Sequence, residues 1–101
     1  MDKELDAADL ALDEWMEAQT KADIASTRHK HHTAAQVGVL AEDQGITKAK
    51  EIVYGTDEWL KRQTYCDEAQ IAAQAAKMRY EQAVRRWETA RSYHSAGRRV
   101  A

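Results

Sequence analysis

From residue 59 onward the chain places apolar or small residues at alternating intervals of three and four: Trp59, Arg62, Cys66, Ala69, Ala73, Ala76, Tyr80, Ala83, Trp87, Ala90, His94 and Gly97. Every station from Cys66 to Ala90 is apolar, and the second station of each heptad is alanine. This is a heptad seam with small residues at one core position and mostly larger ones at the other. It predicts a helix over about 57–96, with Gly97 at or just past its end and a tail over 97–101. The first segment carries the same rhythm at Leu5, Ala8, Leu12 and Trp15, then fades through Gln19, Ala22, Ser26 and His29. It predicts a helix over about 3–40. Between Gly45 and Gly55 the stretch ITKAKEIVY predicts a short helix over about 47–54, capped by Thr47. Gly55 then breaks the chain, Thr56 caps, and Asp57 and Glu58 occupy the first turn of the next helix. No stretch alternates polar and apolar residues for long enough to predict a strand.

These elements imply one all-α domain over 1–101: a long antiparallel helical hairpin with a coiled-coil-like, alanine-rich seam and a short middle helix. Alanine at a seam lets two helix axes approach closely while the aromatics fill alternate layers. The chain has no proline, so nothing interrupts long helices. Composition then adds a constraint. Five Leu, four Ile, five Val and no Phe stand against nineteen Ala, too little bulk for a thick core in one chain. A second, weaker apolar line, Ile71, Ala75 and Met78, lies on the face opposite Ala73 and Tyr80. Either the middle helix covers it or other copies do, and the lack of bulk favours an oligomeric helical bundle. Trp15, Trp59, Ala69, Ala73, Ala76, Tyr80, Ala83, Trp87 and Ala90 are the expected interface residues.

Charge is distributed unevenly. Residues 1–23 hold eight acids and two bases, 24–76 seven and six, and 77–101 two and seven, giving −6, −1 and +5 and the net −2 of the whole. Antiparallel pairing brings the acidic and basic ends together, with Trp15 near Tyr80 or Trp87. Lys77, Arg79, Arg86, Arg91 and Arg98 then flank the seam opposite Glu4, Asp9 and Asp23, and such charges select partner and direction. Arg85, which points away from the seam, and Arg98 and Arg99 of the tail are the candidate nucleic-acid contacts.

No catalytic constellation assembles from these residues. There is no glycine-rich phosphate loop or nucleophile elbow, and Cys66 and His94 stand 28 positions apart on one helix. His29 and His32 of the RHKHH stretch at 28–32 share a helical face, but no nearby Cys, Asp or Glu completes a zinc set. The reading is a non-enzymatic protein with no metal and no cofactor. One cysteine fits a reducing compartment. The acidic start lacks a signal core, and no apolar run approaches a membrane span. A cytoplasmic location follows.

The segment GITKAKE and the ending YEQAVRRWETARSYHSAGRRVA add a resemblance. At Gly45, Thr47, Lys50, Glu51, Tyr80, Glu81, Trp87, Glu88, Arg91, Ser95, Arg98 and Arg99 the chain resembles short helical proteins of bacteriophages and prophages. The likeness covers mainly residues 45–101. The RHKHH stretch and the Val53–Tyr54 pair depart from it. Such proteins are often encoded near recombination and replication genes, and most have no assigned activity. The resemblance implies a phage origin, and with it the host-cell cytoplasm; together with the residue reading above it points to a non-enzymatic accessory factor of DNA recombination or replication. It would act as a homo-oligomer, contacting a phage or host protein, or nucleic acid through the basic C-terminal end. The alternative is an inhibitor of a host defence or nuclease complex, of anti-CRISPR or anti-nuclease type, working by occlusion or by mimicry of nucleic acid through its acidic face.

Overall fold

The computed structural model describes the backbone of residues 2–100 and the side chains of residues 3–94. Among the described residues the chain is all-helical: α1 spans Asp2–Gln44, α2 Ile46–Tyr54 and α3 Asp57–Val100. α1 runs four residues beyond the expected end. α3 runs through Gly97 to Val100, so that glycine lies inside the helix and the expected tail is helical. A lone glycine costs a helix only about 1 kcal/mol, too little to stop a long one without a reversal to reward.

The two turns explain themselves locally. Gly45 has φ 81° and ψ 159°, a region open essentially to glycine alone. It separates α1 from α2, and the expected Thr47 cap is replaced by this glycine with no capping side chain. The Gly45 carbonyl accepts from the Ala49 amide at 3.0 Å, closing the first turn of α2. At the other end the Gly55 amide donates to the Glu51 and Ile52 carbonyls, both at 3.2 Å. Thr56 serves both neighbours: its hydroxyl donates to the Val53 carbonyl at 2.8 Å and accepts from the Trp59 amide at 3.2 Å. One side chain ends α2 and caps α3.

The helices pack as two compact units, Met1–Gln19 with Ala72–Ala101, and Thr20–Ile71. In the first, α1 and α3 pair antiparallel around Ala8, Ala11 and Ala83, with Tyr80 and Val84 packed against them. Trp15 stacks on Tyr80, with ring centroids 5.5 Å apart and planes 27° apart. The Lys77 ammonium lies 5.9 Å from the centre of the Trp15 ring, and the Arg91 guanidinium 5.1 Å from that of Trp87. Two of the cations expected beside the seam therefore lie over tryptophan faces, where the ring quadrupole attracts them. The second unit buries Ala22, Ala25, His29, Ala49, Val53 and Cys66.

Neither unit fully buries a large side chain among the described residues. The buried set is alanine apart from Val53, Cys66 and His29. The middle helix does not cover the second apolar line, since Ile71 remains 69 % exposed.

Gly45 and Gly38 should respond in opposite directions to alanine. Gly45→Ala forces a methyl into a glycine-only conformation and should cost about 1–3 kcal/mol. Gly38 lies inside α1, and a Cβ there would meet nothing within 4 Å. Gly38→Ala should stabilise by about 0.5–1 kcal/mol. Urea unfolding followed by circular dichroism, at one fixed protein concentration, reads both.

Candidate functional site

The second unit holds the chemistry. Past residue 26 its α1 carries polar residues where a coiled-coil seam would be apolar, and three of them, His29, Thr33 and Gln36, bond across to α3. The Trp59 indole donates to the Thr33 hydroxyl at 3.1 Å, and that hydroxyl donates onward to the His29 carbonyl at 2.8 Å. The Arg62 guanidinium donates to the Gln36 side-chain oxygen at 3.1 Å. His29 Nε2 lies 3.0 Å from Gln63 Oε1, and Gln63 Nε2 donates to Asp67 at 2.9 Å. The Asp67 carboxylate fixes the Gln63 amide with its oxygen towards His29. Nε2 must then carry the proton, because an amide oxygen only accepts. These cross-links fix the register as tightly as apolar knobs would, because a slip of one residue would strand buried donors.

His29 is the centre of the arrangement. It is 8 % exposed, and its ring sits 5.2 Å from Trp59, which in turn lies 4.8 Å from Tyr54. Its second nitrogen, Nδ1, is buried with no hydrogen-bond partner, as is Arg62 Nε. Neither ring nitrogen is bonded to the buried Cys66 thiol, so the geometry builds no thiol–imidazole pair.

Two grooves share His29 and Cys66 as common lining. The larger, about 760 Å³, is bounded by all three helices. Trp59, Tyr54, Val37, Ala41 and Ile46 give it apolar walls, and Lys30 and Lys50 also line it. The smaller, about 600 Å³, lies between α1 and α3 and is basic, lined by Lys21, Arg28, His32, Lys61 and Arg62 together with Ile24 and Tyr65. The RHKHH stretch is thus divided: Lys30 belongs to the apolar groove, Arg28 and His32 to the basic one, and His29 to both. No group of three or more His, Cys, Asp or Glu side chains converges among the described residues.

The residues singled out from sequence fall as follows. Trp15 and Tyr80 meet in the first unit. Ala73, Ala76 and Ala83 are buried there, and Trp87 and Ala90 are half-buried. Trp59 and Ala69 are half-buried in the second unit. These contacts are made within one chain. Arg85 is exposed, and Arg98 and Arg99 lie outside the residues whose side chains are described. The sequence reading did not find Thr33, Gln36 and Gln63, because cross-helix polar bonds leave no periodic trace. It also passed over Lys21, Lys61 and Tyr65. Lys21, Arg28 and His32 stand at i, i+7 and i+11, a helical-face spacing that was present to be read.

No helix among the described residues is long and apolar enough to cross a membrane. No protein-family model, curated protein or solved structure matches the chain.

Thr33→Val should cost about 1–3 kcal/mol in unfolding free energy, because it leaves the Trp59 indole without an acceptor in a part-buried position. Trp59→Phe in the Thr33→Val background should then add little beyond the ring's lost area. A double-mutant cycle by urea unfolding checks both, and additive effects would show that the bond contributes nothing.

Proposed function

We propose that this chain is a non-enzymatic accessory protein of phage DNA recombination or replication, which assembles with copies of itself and contacts protein or nucleic acid through its helices. The observation that carries the assembly is where the hydrophobic bulk sits. The buried set is almost all alanine, while Leu10, Met16, Val39, Ile46, Leu60, Ile71, Met78 and Tyr93 are exposed. Val39 is 70 % exposed and Tyr93 82 %. A chain of this size that turns this many large apolar side chains outward gains stability by covering them with another surface. A second copy supplies a matching surface of the same composition, and closed symmetric association is the usual outcome. The phage setting rests on the resemblance over residues 45–101 described above.

The grooves support a binding role over catalysis. They gather aromatic, apolar and basic side chains with no nucleophile joined to a base. The inhibitor reading is supported by one feature: Asp6, Asp9, Asp13, Glu14 and Glu17 are all exposed on α1, the kind of acidic face that imitates a phosphate backbone.

Sedimentation equilibrium of the purified chain should return a multiple of the monomer mass. Ile71→Asp should reduce that mass while leaving the helix signal in circular dichroism intact, because Ile71 supports little within its own chain. A monomeric wild type would sink the assembly reading. In parallel, the wild type should bind an oligonucleotide with an affinity that falls as salt rises. An absence of such binding, together with capture of a nuclease that is lost on reversing Asp13, Glu14 and Glu17, would favour the inhibitor.

A further inference from the structure

We propose that the basic groove between α1 and α3 is a binding site for single-stranded nucleic acid, with Lys21, Arg28 and Lys61 on its phosphates and Tyr65 stacked on a base. This deepens the nucleic-acid part of the reading above and rests on it. It moves the contact from the basic C-terminal end to the second unit.

The charge in the groove has no internal purpose. Lys21, Arg28 and Lys61 make no ion pair or hydrogen bond among the described residues, and no acidic side chain lines the groove with them. Three other cations do have partners. Lys77 and Arg91 lie over tryptophan rings, and Arg62, at the edge of this groove, donates to Gln36 and lies 3.9 Å from Glu58. The protein has seventeen acids available against fifteen bases. Three unpaired like charges around one concavity repel one another, and an anion there relieves the repulsion.

Two features set the ligand's size and class. Lys21, Arg28 and His32 follow one face of α1 over eleven residues, about 16 Å of helix. A line of that length suits a chain of phosphates better than a single one. Tyr65 lines the same groove and is 51 % exposed, with Ile24 beside it. A half-open aromatic ring among cations is the usual platform for an unpaired base, since every base has a stacking face. In a duplex the bases are stacked on each other and hydrogen-bonded within, so Tyr65 selects the single strand. The buried, unpartnered His29 Nδ1 and Arg62 Nε belong to two residues of the same lining. They leave this lining with unused polar capacity.

The test is fluorescence anisotropy of a labelled oligothymidylate, of about 16 nucleotides to span one site, titrated with the full chain across a salt series. The wild type should bind, with log K falling linearly in log salt. Arg28→Glu with Lys61→Glu should lose at least ten-fold, and removing two phosphate contacts should reduce the salt slope by about 1.4. Tyr65→Ala should lose about five- to a hundred-fold with the slope unchanged. Arg28→Lys with Lys61→Arg should bind as wild type does. If the charge reversal lowers the helix signal, Arg28→Gln with Lys61→Gln is read by the same criteria. Three results would overturn the site. The groove variants bind normally while Arg85→Glu, Arg98→Glu and Arg99→Glu together lose binding, which leaves the C-terminal contact standing. The wild type binds no oligonucleotide, which removes the nucleic-acid reading as a whole. Or polyglutamate or a duplex of equal length competes as well as the single strand, which makes the groove a general anion or duplex site. Sedimentation without oligonucleotide reports on assembly independently of all three.

Discussion

Close approach of helices at alanine is the constraint on which the rest depends. Ala8 and Ala11 of α1 and Ala83 of α3 form one buried cluster, and methyl side chains let two helices approach closely. Such a contact excludes water well but removes little apolar area, so each buried alanine stabilises far less than a leucine would. The consequence is structural as much as energetic. Among the described residues most leucines and all isoleucines and methionines are exposed, while Trp15, Trp59, Tyr80 and Trp87 are half-buried. Trp15 on Tyr80, with Lys77 above it, is how the first unit obtains area that its alanines do not give.

The second unit solves the same shortage with polar bonds. Its α1 face is too polar to make an apolar seam, and Thr33, Gln36 and His29 instead reach Trp59, Arg62 and Gln63. A part-buried hydrogen bond contributes only about 1 kcal/mol net, but leaving one unmade costs more. The polar ladder therefore specifies alignment more strongly than it stabilises. It also carries a cost at its centre, where His29 Nδ1 is buried without a partner.

That polar stretch borders the basic groove of the second unit. Side chains turned inward to make the ladder leave their neighbours, Lys21, Arg28 and Lys61, standing around a concavity without counter-ions. On the other side of His29, Tyr54 of α2 closes on Trp59 and gives the neighbouring groove an aromatic wall. An apolar groove and a basic groove thus share the same two central residues, His29 and Cys66.

The seam was legible from spacing alone. Helical periodicity is a property of the chain, and the stations from Cys66 to Ala90 are buried or half-buried where the heptad puts them. The break at Gly55 and the Thr56 cap were legible too, because a cap acts within three residues of itself. The ends of α1 and α3 were not. Gly97 in a helix costs little, and nothing in the sequence compels the chain to turn there. Pairing across the seam was only partly legible. Antiparallel pairing of the oppositely charged ends left Trp15 near Tyr80 or Trp87, and packing chose Tyr80; the bonds of Thr33, Gln36 and Gln63 depend on which rotamers face each other at a given register. The basic groove lay beyond the sequence for the same reason. Lys21 and Arg28 stand on one helix and Lys61 and Tyr65 on another, about forty positions away. Periodicity reports which face of a helix a residue occupies, and only packing decides which two faces enclose a space.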